Sequence, residues 1–290
     1  MSARRLVNLL PKGTKDQLKG WRKRLRLAYV RHRYGFGPDD LLAALRRVGV
    51  KVGDVLLVHS SYDKFAGFSG KPSDAIRVLQ DAAGATGTVL MPTLPFTGTA
   101  VDYVSRGSIF DVRRTPSQMG LLTELFRRSS DVSRSVHPTH PVAAWGAHTA
   151  DMLANHHLAR TPCGDGSPFA RLLERDGRIL LLDVDIESMT FFHCIEEVLE
   201  RDMPMSPFTA EEFSLPSRDE HGAILMSKTR LFDPALSRRR DVRKLEPVLR
   251  QKGTWAETRL GELDIVLLKA KDVMAASKSL AAQGVYCYGR

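Results

Sequence analysis

Two short apolar runs with a helical stretch between them constrain this chain more than anything else in it. Asp54 to Ser61 reads DVLLVHSS and Gly87 to Thr93 reads GTVLMPT. Each is apolar without alternation and is bounded by turn or polar residues, the pattern of a strand buried on both faces. Between them, Pro72 to Ala83 carries apolar residues at helical spacing. Strand, helix and strand of these lengths form a βαβ unit, which requires a parallel pair and a right-handed crossover. Further strands are expected at Pro141–Gly146, Arg178–Val184 and Leu263–Lys269, and helices at Gly120–Arg128 and about 271–283. The mixed, charged stretch 208–262 reads as a peripheral antiparallel layer. The expected fold is three-layer α/β/α, with a largely parallel central sheet, peripheral antiparallel elements and a basic N-terminal helical extension.

That extension ends at the breaker cluster Tyr34-Gly-Phe-Gly-Pro38, after which Asp39 or Asp40 is expected to cap a helix carrying Leu41, Leu42, Leu45 and Val48. The chain therefore divides into an appendage, 1–36, and one folded body, 37–290; 290 residues suffice for a full core. The formal charge of +10 suggests a nucleic-acid binder until it is located. Residues 1–33 hold eleven Lys or Arg against one acid, Asp16, leaving 32 basic and 32 acidic residues in the body. Leu18, Trp21, Leu25 and Ala28 fall at helical spacing among these cations, so residues 14–33 form a basic amphipathic helix. Packing of its Leu and Trp side on the body is the first expectation; contact with an anionic membrane surface or an acidic partner is the second. Nucleic acid ranks below both, because no recognised nucleic-acid module follows. No apolar run approaches the roughly 20 residues of a membrane span, and the N-terminus lacks a signal peptide's apolar core, so a cytoplasmic protein, membrane-peripheral on the second reading of the helix, is expected. Cys163, Cys194 and Cys287 are odd in number and contain no CxxC, against a disulfide framework or structural zinc.

Chemistry is concentrated at Leu180–Glu197, LLLDVDIESMTFFHCIEE, where an interior strand gives way to polar residues and then to His193 and Glu196. Ser188 or Thr190 is the expected N-cap of the following helix. Residues three apart share a helix face, so Glu196 can hold one ring nitrogen of His193 protonated and leave the other a free base. A purely structural His–Glu pair is the competing reading. Two further polar groups stand out, the first at a strand end, where ligands collect in open α/β sheets. His59-Ser60-Ser61 offers a base, two hydroxyls and backbone N–H groups that suit a carbonyl or a phosphate, or else cap the loop. Arg134, Ser135, His137 and His140 form either a phosphate-binding corner or part of a metal site completed by Asp183, Asp185 or His156-His157. No HExxH or comparable motif completes that set, and no metal is expected. Cys194 is about 100° round the helix from His193, which favours core packing over a Cys–His nucleophile. The irregular stretch 94–118 is a candidate active-site loop.

In this order these segments resemble the aminoglycoside 3-N-acetyltransferase family, over about Asp39–Val198. The motifs carrying the resemblance are GDVLLVHSS ending at Ser61, GTVLMPT ending at Thr93, Phe110-Asp111 with Thr115-Pro-Ser117 and Gly120, Arg134-Ser-Val-His-Pro138 with Val142-Ala-Ala144, Gly166-Ser-Pro168, and Thr190 with His193 and Glu196. The resemblance implies an acetyltransferase body that uses acetyl-coenzyme A as co-substrate and an aminoglycoside or amino-sugar amine as acceptor, the latter open to glycan-linked or lipid-linked forms; a homo-oligomer is compatible with it. It assigns His193 as general base and Glu196 as its support, and places His59, Ser60, Ser61, Arg134, Ser135 and Thr190 on the coenzyme side. Backbone N–H groups near Ser60 and Ser61 become candidate oxyanion donors. Two departures fall on the acceptor side: Asp183 stands where the family usually has Gly, and Met189 where Asn often precedes the Thr. Asp102 and Asp183, with Asp185 and Glu187, are expected to attract a cationic amine or to be solvated turn residues. An amide hydrolase, with or without metal at His137 and His140, and a non-catalytic surface-binding module remain open alternatives.

Overall fold

The computed structural model describes residues 12–62 and 65–289. Its strands in chain order are β1 (Val55–Ser60), β2 (Thr88–Pro92), β3 (Phe110–Asp111), β4 (Ser133–Arg134), β5 (Val142–Gly146), β6 (Arg178–Leu182), β7 (Phe208–Arg218), β8 (Ile224–Phe232), β9 (Ala256–Leu260) and β10 (Leu263–Lys269). The main helices are α1 (Lys12–Tyr34), α2 (Pro38–Val48), α3 (Pro72–Ala83), α4 (Leu121–Arg127), α5 (Pro168–Glu174), α6 (Phe192–Leu199), α7 (Leu245–Gln251) and α8 (Ala270–Ala281).

A seven-stranded sheet runs in the order β4-β5-β2-β1-β6-β10-β9. Its centre, β2-β1-β6, is parallel, and β1–α3–β2 is the expected βαβ unit, with Val55 opposite Thr88. Antiparallel strands complete both flanks, β5 on β2 and β10 on β6. Strand side chains alternate between faces, so each central strand feeds two cores. Leu56, Val58, Leu180 and Leu182 pack with α2, α3 and α4, whereas Leu57, Ile179 and Leu181 pack with α5, α6 and α8. His59 continues the register of Leu57 and so faces the α6 side.

The charged stretch 208–262 splits. β7 and β8 pair antiparallel, with β3 alongside, as a separate three-stranded sheet. β9 instead joins β10 at the edge of the central sheet, because Thr258 and Ala256 align with Ile265 and Leu267 in one tight hairpin. Two expected caps are displaced. Gly37 is the N-cap of α2, with Pro38 at the first helical position, and the Asp40 carboxylate accepts the Gly37 N–H at 2.8 Å from within the first turn. Neither Ser188 nor Thr190 caps α6: Ile186–Ser188 forms a separate 3₁₀ turn capped by Asp185, and α6 begins after Phe191 without a side-chain cap. The first expectation for the basic helix also fails. Trp21 and Leu25 are exposed on α1 instead of packed on the body. No helix among the described residues is long and apolar enough to cross a membrane.

Candidate active site

β6 ends at Leu182, and the chain leaves the sheet through Asp183, whose φ of 54° places it in the left-handed region. Glycine adopts that conformation without steric cost and Asp tolerates it; the Asp183 N–H is anchored to the Asp264 carbonyl at 2.8 Å. The 3₁₀ turn then swings the chain back over the sheet. Met189, Phe191 and Phe192 bury themselves in the core and fix the start of α6. Thr190 is half-buried, and its carbonyl accepts the His193 N–H at 3.0 Å.

His193 Nδ1 lies 2.7 Å from Glu196 Oε2. A carboxylate can only accept, so Nδ1 carries the proton and the lone pair resides on Nε2. Glu196 is 2% exposed and also accepts from the Arg240 guanidinium at 3.0 Å and from the Tyr288 hydroxyl. Burial pushes this carboxyl up, but the hydrogen bond from His193 and the charges of its neighbours outweigh burial and hold it below the ordinary carboxylate range. For His193 the balance lies the other way. Burial, reinforced by Arg240, lowers its pKa against the opposing pull of Glu196, so the ring is a neutral base near pH 7. Its side chain keeps 16% of its surface accessible. Phe232 packs against the ring at 4.1 Å between centroids, and His140 meets it edge-on at 5.4 Å.

Arg240 and Tyr288 do not stand out in the sequence. Arg240 is the third of three consecutive arginines, and Tyr288 sits in the last residues of the chain. They meet because the C-terminal segment bridges back to the 234–244 segment: Arg240 pairs with Tyr288, and the Asp241 N–H donates to the Cys287 carbonyl at 2.8 Å. Arg239 also bonds this segment, at the Gly289 carbonyl, and the ion pair with Glu196 is what sets Arg240 apart.

The other expected site residues divide into several groups. His59 is buried, its Nε2 has no hydrogen-bond partner among the described residues, and burial lowers its pKa to about 4. Ser60 and Ser61 are half-buried at the same strand end. The Ser61 N–H is spent on the Leu182 carbonyl at 3.1 Å, so this backbone group is not a free oxyanion donor. Arg134 turns inward under the 94–118 loop. It donates to the carbonyl of Thr115 at 2.6 Å and that of Thr93 at 2.5 Å and to Thr93 Oγ1 at 2.8 Å, with its guanidinium over the Phe110 ring. Burial lowers its pKa to about 9. Its donors tie the loop to the end of β2 instead of standing free for a phosphate.

Ser135 Oγ accepts the Val142 N–H at 2.9 Å and lies 2.9 Å from His156 Nδ1. His156 Nε2 faces the Pro162 carbonyl at 2.9 Å, which must accept; Nε2 is therefore protonated, and Ser135 donates to Nδ1. His137 Nδ1 accepts the backbone N–H of His140 at 3.0 Å, and its ring stacks on His156 at 4.5 Å. Among the described residues, no group of three or more His, Cys, Asp or Glu side chains is arranged to hold a metal ion.

Of the residues expected to face an acceptor, exposed Asp102 accepts from Thr99 Oγ1 at 2.6 Å within a short helix, Ala100–Val104. Ring contacts lead from the adjacent Tyr103 through Phe96 and His140 to His193. Asp185 pairs with Arg243 at 3.0 Å, and Glu187 accepts the Arg243 N–H at 3.2 Å, so both carboxylates are engaged. Cys194 is buried in the core and burial raises its thiol pKa, as its position beside His193 implied. On that same face of α6, Glu197 borders a cleft of about 650 Å³ that also includes Thr161, Glu200 and Arg230 but not His193. Burial pushes Glu197 up to about 8, despite hydrogen bonds from Thr161 and the Cys163 N–H. Gly164 presses on this carboxylate where any side chain would collide with it.

Residues 57–281 match the family model described as aminoglycoside 3-N-acetyltransferase. The chain belongs to this family. Among curated relatives, the aminoglycoside N(3')-acetyltransferase-like protein YokD of Bacillus subtilis (strain 168), described as SPbeta prophage-derived, is 32% identical over 168 residues, 52% of this chain and 61% of YokD. Aminoglycoside N(3)-acetyltransferase III from Salmonella sp is 30% identical over 189 residues, 61% of this chain and 65% of that protein. The chain thus spans less than two thirds of the length of these relatives. Among solved structures, a histidine-to-alanine variant of aminoglycoside acetyltransferase AAC(3)-IVa in complex with a gentamicin superimposes with a TM-score of 0.71 at 25% identity, covering 87% of this chain and 91% of that one. AAC-IIIb in binary complex with CoASH gives 0.72 at 20% identity, covering 88% and 99%, a likeness of fold.

Proposed function

We propose that this chain transfers the acetyl group of acetyl-coenzyme A to an amine of an aminoglycoside or related amino sugar, directly and with His193 as general base. The observation that carries the reading is the neutral His193 ring, fixed through Nδ1 by a buried carboxylate that Arg240 and Tyr288 hold ionised. Membership of the family and the gentamicin and CoASH complexes of its structural neighbours supply the substrate classes.

An alkylammonium cannot attack a thioester until it loses a proton. That proton passes through Nε2 of His193 to solvent; as the free amine nitrogen bonds to the thioester carbonyl carbon, Nε2 takes a second proton from it, the C–S bond breaks, and the departing thiolate recovers that second proton from the imidazolium. The products are an acetamide and free coenzyme A. A base placed in this way contributes about 10²–10⁴-fold. Glu196 stabilises the transient imidazolium, and Arg240 keeps the ring from being protonated prematurely. Direct transfer needs no nucleophile, which agrees with the inert, buried Cys194.

His59, Ser60, Ser61 and Thr190 are assigned to the coenzyme side of the sheet edge, with Arg134 and Ser135 shaping its wall through the loop contacts they make. Asp102 and Asp183 are assigned to the acceptor side, where carboxylates favour a cationic amine through the local field. The direct test is release of free coenzyme A from acetyl-coenzyme A with a panel of aminoglycosides and simple amino sugars. Saturable, amine-dependent release with formation of the acetamide is expected; if no amine stimulates release, the reading fails.

A further inference from the structure

The first helix carries charge and apolar surface that the folded body does not use. At about 100° per residue, Trp21, Leu25, Ala28 and Tyr29 share one sector of α1, and Val30 falls on the opposite side. Val30 is 1% exposed, whereas Trp21, Leu25 and Tyr29 are 58%, 50% and 61% exposed. The helix therefore rests on the body through its Val30 side, where Arg26 reaches Glu262 at 3.4 Å, and turns the Trp–Leu–Tyr stripe outward. Single exposed apolar residues are ordinary on a protein surface. Three on consecutive turns of one helix make a face. The helical spacing sets Arg26 and Arg33 along one margin of this face and Arg31 along the other, and Lys12–Tyr34 holds nine Lys or Arg against a single acid, Asp16. All of this lies before residue 57, where the family match begins.

We propose that α1 is a surface anchor that lays Trp21, Leu25 and Tyr29 into the headgroup region of an anionic lipid bilayer. Trp and Tyr favour that interface because their rings are apolar with a polar tip. Cations along both margins match a flat surface of uniform negative charge, and each strengthens attachment near anionic lipid. A second copy of the chain fits less well, since apposing two such faces would bring their rows of like charge together. The helix lies on the bilayer and does not span it, its outward face being bordered by charge. The proposal is independent of the acetyl-transfer reading.

The test is co-sedimentation of the full chain with vesicles of phosphatidylcholine alone or mixed with phosphatidylglycerol. Binding to the mixed vesicles is expected, with little to phosphatidylcholine alone and progressive loss on adding salt. The triple variant Trp21→Ala, Leu25→Ala, Tyr29→Ala should reduce the bound fraction about tenfold or more while leaving thermal unfolding unchanged, because the stripe is turned away from the core. With Trp145→Phe and Trp255→Phe, Trp21 is the only tryptophan left, and its emission should shift to the blue on adding anionic vesicles. Failure to bind those vesicles at low salt, or equal binding by the triple variant, overturns the proposal. So does self-association that the triple variant abolishes, which would assign the face to a second copy.

Discussion

Two histidine clusters lie side by side, His140 of one meeting His193 of the other at 5.4 Å between ring centroids, and they use the same side chain in opposite ways. In the first, Ser135, His137, His140 and His156 are buried, and burial keeps the three rings neutral; His156 has both ring nitrogens committed, one to a hydroxyl and one to a carbonyl, whereas His137 Nε2 has no hydrogen-bond partner among the described residues. In the second, His193 has one nitrogen fixed by an ionised carboxylate, a guanidinium nearby and part of its ring accessible. Saturation at both nitrogens makes His156 a structural strut. Fixation at one nitrogen, with ring surface left accessible, makes it a base.

The sharpest way to break the contrast is Arg240→Ala. It strands the Glu196 carboxylate, 2% exposed, without its cation, and stability should fall by about 3 kcal/mol, the low end for a broken buried pair because Arg240 is itself partly exposed. Chemical denaturation measures this, and an unchanged midpoint would show that Glu196 does not depend on Arg240. Next in size is His156→Ala, which leaves the Ser135 O–H donor and the Pro162 carbonyl unpaired. A loss of about 2 kcal/mol is expected, with kcat for amine acetylation unchanged. Lost turnover at retained stability would instead move the chemistry into the buried cluster.

Stability should also depend on pH in two windows of opposite sign. His59 and His156 have pKa values lowered from the ordinary 6.5 to about 4 and about 3. Between those values and 6.5 the unfolded chain binds more protons, so stability falls as the pH drops below 6.5, by up to about 1.4 kcal/mol per pH unit for each histidine. Glu197 is raised from 4.5 to about 8. Between those values the native state binds the extra proton, so above 6.5, where the histidines are silent, stability declines as the pH rises toward 8, at no more than that slope. Unfolding curves across this range should lose the alkaline decline in Glu197→Gln and part of the acid decline in His156→Ala. The smallest effect expected is in the acid limb of the rate. Arg240→Gln removes a positive neighbour, so the pKa of His193 should rise and the limb move to higher pH; a shift downward would contradict the role given to Arg240.

Much of this arrangement is legible in the chain itself. The βαβ unit, the strand expected at Arg178–Val184, which ends at Leu182, and the His193–Glu196 pair follow from local patterns, because apolar runs and three-residue spacing are near-neighbour properties. What escapes is set by distant pairing. Arg240 and Tyr288 join Glu196 through a bridge between the 234–244 segment and the C-terminus, and no local rule marks one arginine among three. Arg134 escapes for another reason. A guanidinium fits a phosphate and a set of loop carbonyls equally well, and only the path of residues 94–118 decides which it meets. The apolar stripe of α1 is readable as a stripe, but whether it faces the body depends on where Val30 docks.

His193, held neutral by burial and Arg240 and oriented by Glu196, removes the proton from the acceptor amine in the mechanism we propose. Its most direct test is the rate of amine-dependent coenzyme A release by His193→Ala against the unsubstituted chain, with both shown to be folded. A fall of about 10²–10⁴-fold at neutral pH is expected, and a His193→Ala variant that retains the full rate would show that His193 is not the base.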